Sequence, residues 1–490
     1  MRSIPVRLAL VALVTSVLLA SGIWRVPSGL AVLGEGANVF QYEDFPAGLG
    51  FPTDENVLLG YVSRQDQQAI RAHAWQLWQG ITAPSRSVWN GQVLPIFDTW
   101  FNATEVFDDA YAGGNPDVPG RRFNRHLEPP RQSGHSPAAP GGHSAAVMSF
   151  VKFNRDAARF IWDNYYYRKD TLDALVDFYN RTDAPLYQRQ ITPFPRTAIT
   201  LKIVFWLIKR ADSPQVEGGL TPLPYWDPAD PPPPDGGLPM HTNWTHCVAV
   251  DPAGRYPAGA TARVNCNGMP KAPRYVDAPV IGLDSFYTYR LSDDSDVASV
   301  AEFLKDLSSA GHEQERLVAD FGLTPEVGDY LALMAVHMTT KEMDNWTFQT
   351  WSWSPTPDDG PRAAGRPASI QGVWRNYVMC TAYDMVTPRE PDGSPHVCFN
   401  PYLESDLGPQ APYQVGSETY PPDPMAGHRS NCQTCHARAG WPSVSTDPFS
   451  ANYGRVFNTG YLAPDDPYYA GLVKTDFLWS LIFHSQPPRQ

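Results

Sequence analysis

The sequence predicts a mainly α fold with extensive irregular loops and few short strands, in which a C-terminal segment packs on a larger body. Three observations predict it. Apolar residues recur at helical spacing in several stretches between residues 63 and 343. Proline supplies 49 of the 490 residues, about twice its usual ~5% share. Each proline fixes φ and removes an N–H donor, so long rigid loops are expected between the regular elements. Finally, the most specific chemical motif lies late, at residues 432–436, with too little chain after it to enclose a large group alone.

Taken in order, the chain opens on a pattern of export. Arg2 and Arg7 form a positive region, Leu8 to Ala20 an apolar one, and Ala20-Ser21-Gly22 offers small residues for cleavage, so residues 1–22 read as a signal peptide for the periplasm. The apolar stretch extends to Trp24, which leaves an uncleaved membrane anchor as the alternative. Residues 63–78 read as an amphipathic helix with Ser63 as N-cap and Ile70, Ala74, Leu77 and Trp78 along one face; His73 on it reads as a packed or exposed histidine and not as a ligand. Residues 112–144 are a Gly/Pro/Arg/His loop in which His126, His135 and His143 read as solvated.

Helices are expected over about 154–167 and 171–179, and a buried strand within Ile191–Ile208, interrupted by Lys202, whose charge either snorkels outward or is paired inside. A Pro-rich excursion runs from Leu220 to Met240. Helical spacing returns at 296–308, 312–321 and, as a longer element, from Pro325 to about Met343. A further Pro/Gly/Arg stretch, 354–369, divides a body over 36–353 from a motif-bearing region over 370–490.

A composition of 42% hydrophobic and 18% charged residues fits an ordered globular protein. The net charge of −13 points away from nucleic acid, because phosphate binding needs a basic footprint. An acidic surface serves solubility and also suits a basic redox partner.

Of the six cysteines, Cys247/Cys266 and Cys380/Cys398 form two local pairs, which in an oxidising compartment read as disulfides; buried thiols are the alternative. The last pair differs. Asn431-Cys-Gln-Thr-Cys-His436 is the C-x-x-C-H attachment signature of a c-type haem. On one helical turn Cys432 and Cys435 can meet the two vinyl groups of one porphyrin, and His436 then points at the iron. A zinc site from His428, Cys432, Cys435 and His436 would crowd its ligands into one short segment. A thioredoxin-like redox pair lacks the βαβ context it needs.

No methionine follows Met425, so the group on the far side of the iron must come from upstream, from His484, or not exist. The best upstream stretch is Tyr330 to Trp351. Read as a helix, it places Met334, His337, Met338 and Lys341 along one face, with His337 as the candidate distal iron ligand or pocket residue.

The His337-x3-Lys341 element, Trp346-Thr-Phe-Gln-Thr-Trp351, Ser430-Asn-Cys-Gln-Thr-Cys-His-Ala-Arg-Ala439 and Thr475-Asp-Phe-Leu-Trp479 together resemble a group of large, poorly characterised bacterial cytochrome c-like proteins with a single late haem motif. Pro195 to Lys202 is similar to a Lys-bearing stretch of that group. The resemblance covers about the last third of the chain. It implies one covalent haem c and an extracytoplasmic location, supports His337 as a pocket residue, and implies no substrate. The expected function is electron transfer to a redox partner protein. The alternative is a haem oxidoreductase, peroxidase-like, acting on a small molecule.

Overall fold

Residues 330–340 form a strand, and the fold is organised around it. The computed structural model describes residues 38–113, 147–227, 244–266, 274–309, 324–383, 398–404, 413–415, 418–420, 432–442 and 463–487. The expected mainly α fold is overturned: the protein is mixed α/β, with several multi-stranded sheets. The signal segment, His126, His135, His143, His428 and the helix expected at 312–321 lie outside the described residues.

The principal sheet has seven strands. Its path runs β13 (Tyr377–Tyr383), β12 (Thr347–Trp353), β11 (Tyr330–Thr340), β5 (Ile199–Ile208), β4 (Val147–Phe153) and β3 (Phe101–Asn102), with β10 (Thr288–Arg290) also pairing β11. All these pairings are antiparallel. Smaller sheets are formed by β1 (Pro84–Trp89) with β2 (Gln92–Pro95), by β14 (Tyr413–Val415) with β15 (Glu418–Tyr420), and by β16 (Gly440–Trp441) with β17 (Val473–Lys474). A further sheet is ordered β6 (Thr221–Tyr225), β7 (His246–Asp251), β9 (Tyr275–Gly282), β8 (Thr261–Asn265).

The helices follow local sequence signals. α1 (Glu55–Ser63) is capped by Asp54, and α2 (Gln67–Ile81) by Asp66, whose carboxylate accepts from Ala69 N at 3.0 Å. Ser63 therefore ends a helix instead of starting one, because an aspartate three residues on supplies the N-cap acceptor. α3 (Arg155–Asp163) is capped by Asn154, whose side-chain oxygen accepts from Ala157 N and from Ile199 N, both at 3.0 Å, tying the helix start to the edge of β5. α4 (Lys169–Arg181) and α5 (Asp294–Ser309) lie where periodicity places them.

Alternation divides the principal sheet into two faces. One carries Leu201, Ile203, Val336, Met338, Trp351 and Met379 and packs on α2, where Trp78 stacks on Trp351 with ring centroids 4.8 Å apart. The other carries Phe153, Phe348 and Ala382 and packs in a second apolar cluster that includes Cys432.

Both expected disulfides are present. Cys247–Cys266 lies in the sheet containing β7, and Cys380–Cys398 joins β13 to residues 398–404. They fit an oxidising compartment outside the cytoplasm. Among the described residues no helix is long and apolar enough to cross a membrane. Serine at Cys380 and Cys398 opens a loop of 18 residues and is expected to lower unfolding free energy by about 3 kcal/mol. Urea unfolding of the oxidised parent and the variant checks this; equal midpoints would refute it.

Candidate functional site

The sheet register brings the site together from distant parts of the chain. On the face away from α2, one row crosses five strands as Val151, Lys202, His337, Thr350 and Cys380. The adjoining row is Phe153, Thr200, Thr339, Phe348 and Ala382. His337 thus stands in the middle of the sheet, with Lys202 opposite it on one side and Thr350 on the other.

Residues 398–404 lie over this face, anchored to β13 by the Cys380–Cys398 bond. Asn400 Nδ2 donates to Thr350 Oγ1 at 2.5 Å and to Trp351 O at 3.1 Å. The short helix α6 (Pro401–Glu404) then delivers Glu404, whose Oε1 lies 2.9 Å from His337 Nε2. Glu404 Oε2 accepts from Asn400 N. Half-buried Arg362 donates to Ser352 Oγ at 3.1 Å and Phe399 O at 3.2 Å. Burial pushes the Arg362 guanidinium down to about 10, with the charge of Glu404 acting against that shift.

The C-x-x-C-H segment forms α7 (Cys432–His436) and sits on the same face. Cys432 is a buried thiol with Sγ 3.6 Å from His337 Nδ1. Gln433 Nε2 donates to Asn345 O at 2.9 Å, tying the helix to the β11–β12 turn. His436 Nδ1 lies 2.7 Å from Phe477 O, and its ring packs on Phe348 with centroids 5.0 Å apart. A carbonyl only accepts, so Nδ1 is the protonated nitrogen and Nε2 keeps its lone pair. Burial pushes the His436 pKa down to about 4; the Phe477 carbonyl opposes this, and the charges of His337 and Lys202 add to it. The imidazole is therefore neutral at pH 7, the form that binds a metal.

Two chemistries follow from this arrangement. A histidine oriented through Nδ1 by a carbonyl, beside a cysteine on one helical turn and an apolar wall, fits a covalently held haem. Separately, ligand atoms of His337, Glu404 and Cys432 lie within 4.8 Å of one another, a thiol–imidazole–carboxylate set suited to a transition-metal ion. The His337–Glu404 pair can also hold and pass a proton.

The structure joins His337, Cys432 and His436 on one face; Cys435 is described through its helical backbone alone. The expected helical face of Met334, His337, Met338 and Lys341 does not exist. β11 is a strand with period two, so Met334 and Met338 point into the α2-side core and His337 points the other way. His484 is buried on α8 (Trp479–His484), its ring 5.5 Å from that of Phe107. Glu404 and Phe477 were not legible as site residues, since each contacts its histidine only through tertiary structure.

Compared with known protein families, curated proteins and solved structures, the chain matches none, so these comparisons do not bear on the resemblance to cytochrome c-like proteins.

Proposed function

We propose that the chain is a periplasmic monohaem c-type cytochrome that exchanges electrons with a redox partner protein. Haem c is attached through Cys432 and Cys435, with His436 as the proximal iron ligand. The observation that carries this reading is the 2.7 Å contact of His436 Nδ1 with Phe477 O, which leaves Nε2 for iron in a motif whose spacing suits two thioethers. The haem supplies one-electron chemistry. The residues of the chain hold it, exclude water and set its potential: Phe348 covers the His436 ring, and His337 is the distal group.

A second reading is favoured by one contact. Glu404 at 2.9 Å from His337 Nε2 makes an imidazole–carboxylate pair that holds a proton beside the haem, as a haem oxidoreductase acting on a small molecule would need.

Visible spectra of the oxidised and reduced protein, with and without carbon monoxide, separate the two. The carrier is expected to be low-spin and unreactive toward carbon monoxide, and His337→Ala is expected to make it high-spin and reactive. A parent that is high-spin and binds carbon monoxide readily sinks the carrier and leaves the oxidoreductase. Absence of a pyridine haemochrome band from protein made with a haem-attachment system sinks both.

A further inference from the structure

The carbonyl that orients His436 sits in an unusual turn. Residues 475–478 join β17 to α8, and within them Asp476 and Phe477 have φ of 49° and 68°, two successive non-glycine residues in the left-handed region. Such residues are unfavourable there and persist only when their surroundings hold them.

What holds them is specific. Asp476 Oδ1 pairs with Lys341 Nζ at 2.6 Å, and Asp476 Oδ2 accepts from Phe194 N at 2.9 Å. Both side chains of the ion pair are largely buried, at 3% and 10% exposure, so the contact is not screened as a surface pair would be. Lys341 also donates to Asp344 O at 2.7 Å and lies 5.4 Å from the centre of the Trp346 ring. Thr475 N donates to Ala439 O at 3.0 Å, which ties the turn to the segment following α7. The β11–β12 turn therefore holds the 432–436 motif directly, through Gln433 on Asn345, and the 475–478 turn beside it, through Lys341 on Asp476.

We infer that Lys341 and Asp476 are positioning residues which hold the Phe477 carbonyl on His436 Nδ1 and thereby set the reduction potential of the iron. This rests on the haem reading above. A held acceptor on Nδ1 makes the imidazole a stronger donor through Nε2, which favours ferric over ferrous iron and lowers the potential. Releasing the turn weakens that bond and raises it.

The test is potentiometry on the haem-loaded full chain. Lys341→Met with Asp476→Leu removes both charges together and avoids leaving one buried alone. It is expected to retain covalent haem and to raise the potential by about 59 mV, a tenfold change in the ferric–ferrous equilibrium. In the low-spin ferrous protein the His436 Nδ1 proton, followed by NMR, exchanges with solvent faster in the same variant. Asp476→Asn, a milder change, moves both readouts in the same direction by less, and Lys341→Arg restores the parent values. Either charge-removing variant, folded and haem-loaded with an unchanged potential, overturns the inference. Loss of the thermal transition in both overturns it too, in favour of a purely structural pair. A parent without haem refutes the haem reading instead and is seen before any variant is made.

Discussion

Serine in place of both Cys432 and Cys435 is expected to leave a folded chain that retains no haem through denaturing electrophoresis, against one haem per chain in the parent. Serine cannot form the thioether, and the coordinate bonds that His436 and His337 offer are broken by denaturant. The fold should survive because Cys432 is one member of a large apolar cluster built mainly from Phe101, Phe153, Phe348 and their neighbours, and Cys→Ser there removes little buried apolar area. Single replacements separate haem from the competing metal chemistry. A zinc ion bound by His337, Glu404 and Cys432 alone survives Cys435→Ser and is lost in Cys432→Ser or His337→Ala. A haem held by two thioethers loses one in either cysteine variant, and the shift in its haemochrome band reports the free vinyl group. A parent that carries one zinc ion and no haem, with zinc kept in Cys435→Ser, would sink the haem reading and leave the metal centre.

The motif could be read from sequence because its chemistry is local: five consecutive residues suffice. The two disulfides were legible for the same reason, each closing a short loop. The helices α2, α3, α4 and α5 declared themselves through amphipathic spacing, although the N-cap of α2 is Asp66 and not Ser63. β11 did not. Tyr330-Leu-Ala-Leu-Met-Ala-Val is a continuous apolar run of residues with good helix propensity, and periodicity cannot decide between a buried helix and a strand covered on both faces. Burial resolves it after the fact, since Leu331 through Val336 are all fully buried in the centre of the sheet. That error carried the distal side with it, because helix and strand put different residues beside His337. Glu404 had no local signal at all: it reaches the site on a segment stapled to β13 by a disulfide. The Lys341–Asp476 pair spans 135 positions in sequence.

The position of His337 depends on a register, and a buried ion pair stands where that register begins. Lys209 follows β5 and Asp329 precedes β11; their side chains are both fully buried, with Nζ 2.5 Å from Oδ2. Asp329 also accepts from Arg210 N at 2.9 Å and Glu326 N at 2.7 Å, so both of its carboxylate oxygens are engaged. The first cross-strand partners after it are Tyr330 and Ile208, and the same ladder continues, through one irregularity, to His337 opposite Lys202. A slip of one residue would turn His337 to the α2 side, away from Cys432. Lys209→Met leaves Asp329 charged and buried without its partner and is expected to lower unfolding free energy by about 3–5 kcal/mol. Lys209→Met with Asp329→Leu recovers most of that loss, because the isolated charge is gone. Acid sensitivity supplies a second readout. The Lys209 ammonium, ahead of the other causes, holds the Glu326 carboxyl below its ordinary value of 4.5. A carboxyl depressed in the folded state contributes stability above its unfolded pKa and loses it as pH falls through the folded one. The parent therefore loses stability as pH drops below about 4.5, and Lys209→Met flattens that part of the profile. Urea midpoints across pH measure both effects. A single variant as stable as the parent at pH 7 would show that the pair does not hold the ends of β5 and β11, and the register of His337 would then need another cause.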